Sequence, residues 1–401
     1  MVISPSADPS AVYSSMFRTY IIRNTEFALT RVQNAVYSLS TEDQKLVFKT
    51  LNYALKYDDT WFLTRDLLMS AAPKMEQAGY RGEWMLYLES GIQQSKRKQD
   101  LFAEATLHFN VGILYKYKAE FNNARLRFNK AAIKFQEIAC KLEQARALNH
   151  LAYVARLQRR FEEAKQIVEV AQTLAGDDIA EVAYSYLVRG SLALDQGDWQ
   201  NASSFFEKSL TLWKKTKDKR KIAWGLSNLG TALRVLKEYD KAILSYEEGI
   251  RLFEEVKDPV HQAVAQMNLG NVYLNLGEAE KALPFYNLSE SIFYDTQAWL
   301  RFAKVNHNKA IAHQQLKHWY QAECAYLSSI EQWRKLGSIG SMVRVIISLA
   351  EMYIEQGLPQ EARKSLQNAL HALSQMESEP EHRQLLDLIR TMQNSLPVSL
   401  A

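Results

Sequence analysis

The chain has little of what breaks helices: eight prolines and fifteen glycines in 401 residues. Each costs free energy inside a helix, so their scarcity suits a mostly helical chain. Cysteine is scarcer still. Cys140 and Cys324 stand far apart and offer neither a disulfide framework nor a metal-ligand set. Buried structural thiols in a reducing, cytoplasmic compartment are expected. No apolar run reaches the length of about eighteen residues that a membrane span needs. The opening residues, MVISPSADPS, lack a basic stretch followed by an apolar one, so no signal peptide is expected. Excess charge of one sign is missing too: the net charge of +4 neither demands nor excludes nucleic acid or a membrane surface.

Catalytic signatures are also lacking. There is no GxSxG, HExxH, CxxC or GxxxxGK(S/T), so neither an enzyme nor a cofactor is expected. Of the eight histidines, His307, His313 and His318 lie closest, but their spacings of six and five do not put ligands on one helical face. No metal site is expected.

What the chain does contain is a repeat. Leu229-Gly230, Leu233, Ala242 and Tyr246 return forty residues later as Leu269-Gly270, Tyr273, Ala282 and Tyr286. Extended both ways, one column reads Trp84, Ala124, Ala164, Ala202, Ala242, Ala282, Ala322, Ala362. Every step is 40 except the 38 between Ala164 and Ala202, which fits a trimmed loop near Gly176-Asp177-Asp178. Twelve residues upstream runs a small column: Ala72, Gly112, Ala152, Gly190, Gly230, Gly270, Ala310, Ala350. Four downstream runs a large apolar one: Leu88, Phe128, Val168, Phe206, Tyr246, Tyr286, Tyr326, Leu366. Antiparallel helices approach closely where a small side chain faces a large one, so each repeat predicts a helical hairpin. A period of this size predicts a solenoid.

These columns resemble the tetratricopeptide-repeat (TPR) family in its 40-residue form, over about Trp61 to Gln375. The resemblance implies an all-α, right-handed α-solenoid of eight hairpins, with helical caps at both ends. The expected division is a disordered tip (1–9), N-terminal capping helices (10–57), the array (58–377), a C-terminal capping helix (378–395) and a tail (396–401). Ser40-Thr41-Glu42-Asp43 reads as a helix start. Leu385, Leu386 and Ile389 mark the apolar face of the last helix. The first repeat is degenerate, with Pro73 inside its first helix and Trp84 in the alanine column. The N-terminal part also resembles, weakly, the sensor arrays of STAND-type signalling ATPases and quorum-peptide receptors, though no phosphate loop is present.

In TPR arrays the first helices line a concave face, and helical spacing says which residues would sit there. Two before the small column come Asn110, His150, Asn228, Asn268 and Asn308, with Asn271 added in the sixth repeat. An amide offers a donor and an acceptor together and can pair with any peptide backbone. The resemblance implies this use; bonding between neighbouring first helices is the alternative, and the two stay open. On the same surface Arg146, Lys304 and Arg344 are offset by Asp195, Glu351 and Glu355, while flanking Lys116, Arg156 and Arg234 tip the middle toward basic, a mild preference for an acidic segment. Tyr184 and Trp224 are either aromatic anchors or packing between helices.

The expected function is therefore a scaffold holding an extended segment of a protein partner. A peptide-gated signalling sensor is the alternative. Nucleic acid is not an expected partner: the run Lys214–Lys221, six of eight residues basic, lacks interleaved aromatics and reads as a solvated loop. Self-association through the ends or the degenerate repeats stays open.

Overall fold

The computed structural model describes residues 9–79, 82–375 and 380–396. Among them every regular element is a helix, and the fold is an all-α solenoid of consecutive hairpins. The chain forms two compact units, Met1–Ala232 with Leu252–Asp258, and Leu233–Arg251 with Pro259–Ala401.

The first unit opens with α1 (Pro9–Asn34), α2 (Thr41–Ala54) and one 3-10 turn, Asp58–Thr60. Hairpins follow: α3 (Trp61–Gln77) with α4 (Gly82–Arg97), α5 (Leu101–Tyr117) with α6 (Phe121–Glu137), α7 (Lys141–Leu157) with α8 (Phe161–Ala175), and α9 (Ile179–Asp195) with α10 (Trp199–Thr216). Most of α11 (Lys219–Val235) completes it. The second unit takes most of α12 (Tyr239–Glu255), then α13 (Pro259–Asn275) with α14 (Ala279–Asp295), α15 (Trp299–Gln315) with α16 (Trp319–Lys335), and α17 (Ile339–Glu355) with α18 (Pro359–Leu373). It ends with α19 (Pro380–Ser395).

The expected tip, residues 1–9, lies outside the described residues except Pro9, which opens α1; of the tail only Leu396 is described. Ser40 caps α2, its hydroxyl accepting from the Asp43 N–H. Helix α3 runs on through Pro73. The degenerate hairpin is specially packed: Trp84 is fully buried and meets Phe48 edge-on and Tyr87 face-on. On α19, Leu385 and Ile389 are buried in one core with Leu366 and Leu373 of α18.

The columns are the core. All eight residues of the large column are at most 1% exposed. Their packing explains the glycines. A Cβ on Gly112, Gly190 or Gly270 would sit 2.7 Å from a ring carbon of Phe128, Phe206 or Tyr286, so the ring occupies the missing side chain's place. A second device recurs in the hairpins: Ser209, Ser289 and Ser329 each donate at 2.8 Å to a first-helix carbonyl twenty-six residues back, of Ala183, Ala263 and Ala303.

The turns keep a finer rhythm than the sequence columns. One residue adopts a left-handed backbone every twenty positions from Gly79 through Gln99, Ala119 and Ala139 to Arg159, and again from Gly197 to Gly357. The 38-residue interval from Arg159 to Gly197 accommodates the trimmed repeat, with Gly176 at its short turn. After most of these residues an N–H reaches back five positions to close the helix end, as Glu120 to Tyr115, Cys140 to Phe135 and Glu278 to Tyr273.

Two expectations are corrected. Cys140 is half-buried and Cys324 exposed, so neither is a fully buried thiol. The run Lys214–Lys221 is not a solvated loop. Thr216 still belongs to α10 and Lys219 already opens α11. Arg220 within it is enclosed, because carboxylates from two distant elements converge on its guanidinium: Asp258 at 2.6 Å and Glu76 at 3.3 Å.

Candidate functional site: a cavity on the first helices

Six helices of the first unit place side chains around one cavity of about 240 Å³. Helix α5 contributes Asn110 and Lys116, α7 Arg146 and His150, α9 Glu181 and Tyr184, α11 Lys221 and Trp224, and α3 Glu76. Phe109, Ile113, Leu114, Leu88 and Trp84 supply apolar wall. The helical period explains the convergence. Positions six and two before each small-column residue share one face, and neighbouring first helices repeat it.

His150 sits at the centre and is 8% exposed. The Tyr184 hydroxyl lies 3.1 Å from its Nδ1 and the Lys116 ammonium 3.4 Å. An ammonium only donates, so Nδ1 accepts and the proton of the neutral ring is on Nε2. Burial, and after it the charges of Lys116, Arg146 and Lys221, hold the imidazole well below its ordinary pKa. Its ring packs on Tyr184 with centroids 4.5 Å apart and on Phe128 at 5.4 Å. Burial likewise pushes the Tyr184 phenol well up.

Arg146 and Glu181 form the second polar group. Their ion pair is 2.8 Å long, and Asn149 also donates to the Glu181 carboxylate. Burial works against the Arg146 charge, but Glu181 more than offsets it and raises the pKa. Asp178 caps α9 by accepting from the Glu181 N–H at 2.8 Å, which positions that residue.

A tie closes one side. Gln77 at the end of α3 donates to the carbonyls of Val256 (2.6 Å) and Lys257 (3.1 Å). Beside it, Arg220 bridges Glu76 and the fully enclosed side chain of Asp258, and its guanidinium lies 5.0 Å from the Trp224 ring centroid. Burial opposes this charge as well, and the two carboxylates together raise it above its ordinary value.

Of the thirteen residues the sequence singled out, Asn110, Arg146, His150, Tyr184 and Trp224 meet at this cavity. Arg156 pairs with Asp195 at 3.2 Å and lies over the Tyr153 ring. Asn110 and Asn228 each donate to a carbonyl one turn back in their own helix, Thr106 and Trp224. In the second unit, Asn308 donates to Asn271 across neighbouring first helices at 2.8 Å, and Asn271 also accepts from Tyr286. Asn268 and Arg234 are half-buried there, while Lys304 and Arg344 are exposed. Glu181, Glu76 and Lys221 were not singled out as site residues. One signal could have found Glu181: it follows Arg146 by 35 residues, near the 34 that separate Lys116 from His150 and His150 from Tyr184. Glu76 carried none, being 144 residues from Arg220. Among the described residues no cluster of three metal-binding side chains occurs, and no helix is long and apolar enough to cross a membrane.

Residues 178–255 and 221–295 match the tetratricopeptide-repeat family model. Residues 178–295 are built of tetratricopeptide repeats. The matched stretch contains Gly190, Gly230, Gly270 and their large partners, where the TPR columns are best kept. No curated protein sequence matches the chain. Among solved structures, it resembles the STAND protein with a tetratricopeptide repeat sensor from Pyrococcus horikoshii, at 15% identity and TM-score 0.53. That match covers 88% of this chain and 55% of the other. A Rap protein complexed with competence and sporulation factor matches at 12% identity and TM-score 0.53, over 83% of this chain and 98% of that one. Aspartyl phosphate phosphatase F from Bacillus subtilis matches at 12% and 0.53, over 95% and 97%. At these identities the likeness concerns the TPR fold.

Proposed function

We propose that this TPR protein is a non-catalytic scaffold that holds an extended segment of a partner protein against the first helices of its hairpins. The observation that supports it most is the convergence of first-helix polar groups on the 240 Å³ cavity, several of them fixed by a neighbour. Glu181 holds Arg146, and Tyr184 and Lys116 hold His150. Groups ordered in advance lose little entropy when a ligand arrives. A mild preference for an acidic segment rests on Lys221, which lines the cavity, since Arg146 and Arg156 already have carboxylate partners. The cytoplasm is the compartment this role and the sparse cysteines suit.

A ligand-gated signalling regulator is the second reading, and one observation favours it. The Gln77 and Arg220 tie joins α3 to α11 and to Leu252–Asp258 beside the cavity, a contact that a bound segment could break or reinforce. The fold likeness to a Rap protein bound to competence and sporulation factor fits that reading.

The test uses a displayed library of extended peptides, acidic and neutral, followed by affinity measurement on the selected sequences. Asn110→Ala and Tyr184→Phe are each expected to weaken them about tenfold, the value of one lost polar contact to a well-ordered ligand. Selected peptides that bind both variants at full strength would overturn the groove reading. Solution scattering with and without the peptide separates the roles: altered dimensions favour the regulator, unchanged ones the scaffold.

A further inference from the structure

We propose that the cavity of the first unit is a receptor site for a small organic acid, a compact aromatic carboxylate that binds without any protein partner. The argument begins with size. About 240 Å³ exceeds the roughly 150 Å³ that suffices for benzene in an engineered apolar cavity, and falls below the usual 300–1,000 Å³ of drug-sized pockets. A ring with a short acidic arm fits that interval.

Chemistry of the wall selects the same ligand. One part is apolar and aromatic: Phe109, Ile113, Leu114 and Leu88. The polar part is cationic where it is not already neutralised. Glu181 is held by Arg146 and Asn149, and Glu76 by Arg220, so both carboxylates of the lining are committed. Lys221 makes no ion pair among the described residues, and its charge reaches His150. A cationic ligand would find its counter-ions taken; an anionic one finds Lys221.

His150 supplies the independent observation. Its Nδ1 is occupied by Tyr184 and Lys116, yet its Nε2–H has no hydrogen-bond partner among the described residues. The Nε2 atom is not sealed among the buried, unsatisfied polar atoms, so this donor is open to a ligand in the cavity that His150 lines. A carboxylate oxygen on that donor, with the other oxygen toward Lys221, satisfies it. Inorganic phosphate offers the charge but no surface for the aromatic wall.

The experiment is titration calorimetry on the full chain with benzoate, phenylacetate and indole-3-acetate. Phenethylamine carries a ring with the opposite charge, and inorganic phosphate the charge without the ring. Saturable binding of at least one acid, one per chain, and none of the amine or phosphate, is expected. Lys221→Met keeps the apolar stem and is expected to weaken the acid about tenfold, as loss of a charge-assisted contact does. His150→Phe keeps the ring packing and removes the donor; it should weaken the acid while circular dichroism shows the helices intact. Failure of all three acids to bind overturns the proposal. So does equal binding of the amine, or full-strength binding by Lys221→Met.

Discussion

Three hairpins depend on a missing side chain. Gly190 leaves a gap that Phe206 fills to 2.7 Å from where a Cβ would be. Gly190→Ala therefore overpacks the α9–α10 contact and should cost about 1–3 kcal/mol, read as a lower urea midpoint at unchanged slope. Histidine sets a second expectation at this scale. Arg127 lies 3.0 Å from Nδ1 of His108, which is 1% exposed. Burial first, then Arg127 and nearby lysines, lower its pKa to about 3; burial alone lowers that of His307 to about 4. Both rings are neutral when folded, while the unfolded chain protonates near its ordinary value of about 6.5. Below that value the unfolded state binds more protons, so stability is full above about pH 6.5 and falls as pH drops toward about 3. Urea melts across that range should show the loss, and His108→Gln should flatten part of it.

Between elements, ion pairs and turns decide more than propensity. Arg220 is held by the fully enclosed Asp258 and by Glu76, whose side chain is 10% exposed. Arg220→Ala strands two buried carboxylates and should cost about 3–5 kcal/mol, measured by chemical denaturation. Hydrogen exchange should then rise first at the end of α3, where Gln77 bonds the same segment. Helix ends give a smaller effect. Gly277 holds a left-handed backbone at φ 78°, so Gly277→Ala should lower stability by about 1 kcal/mol. This rhythm was half-hidden in the sequence. Gly277 and Gly357 announce their turns, but lysine, alanine, glutamine or arginine fills nine other left-handed positions, and those residues carry no turn signal.

For the molecule as a whole, a repeat array needs its open ends covered. Leu385 and Ile389 of α19 share a core with Leu366, Leu373 and Ile346. Ending the chain before Pro380 should uncover that core and produce concentration-dependent association, visible by light scattering after size exclusion. The cap was legible because its apolar face keeps helical spacing. The hairpins were legible for a related reason: Gly270 opposite Tyr286 is a contact sixteen residues apart, repeated until the pattern shows.

The amino-acid order alone determined the helices, their pairing and the face on which His150, Tyr184 and Arg146 gather, since all of these follow from contacts within one repeat or between adjacent ones. Only the tertiary structure decided that Arg220, in a run that reads as solvent-facing, is enclosed by Glu76 and Asp258, and that Gln77 bonds Val256 and Lys257. Those partners lie as far as 180 residues apart. The physical reason is that a repeat pattern encodes the rotation from one hairpin to the next, whereas distant elements meet only once many such rotations have accumulated.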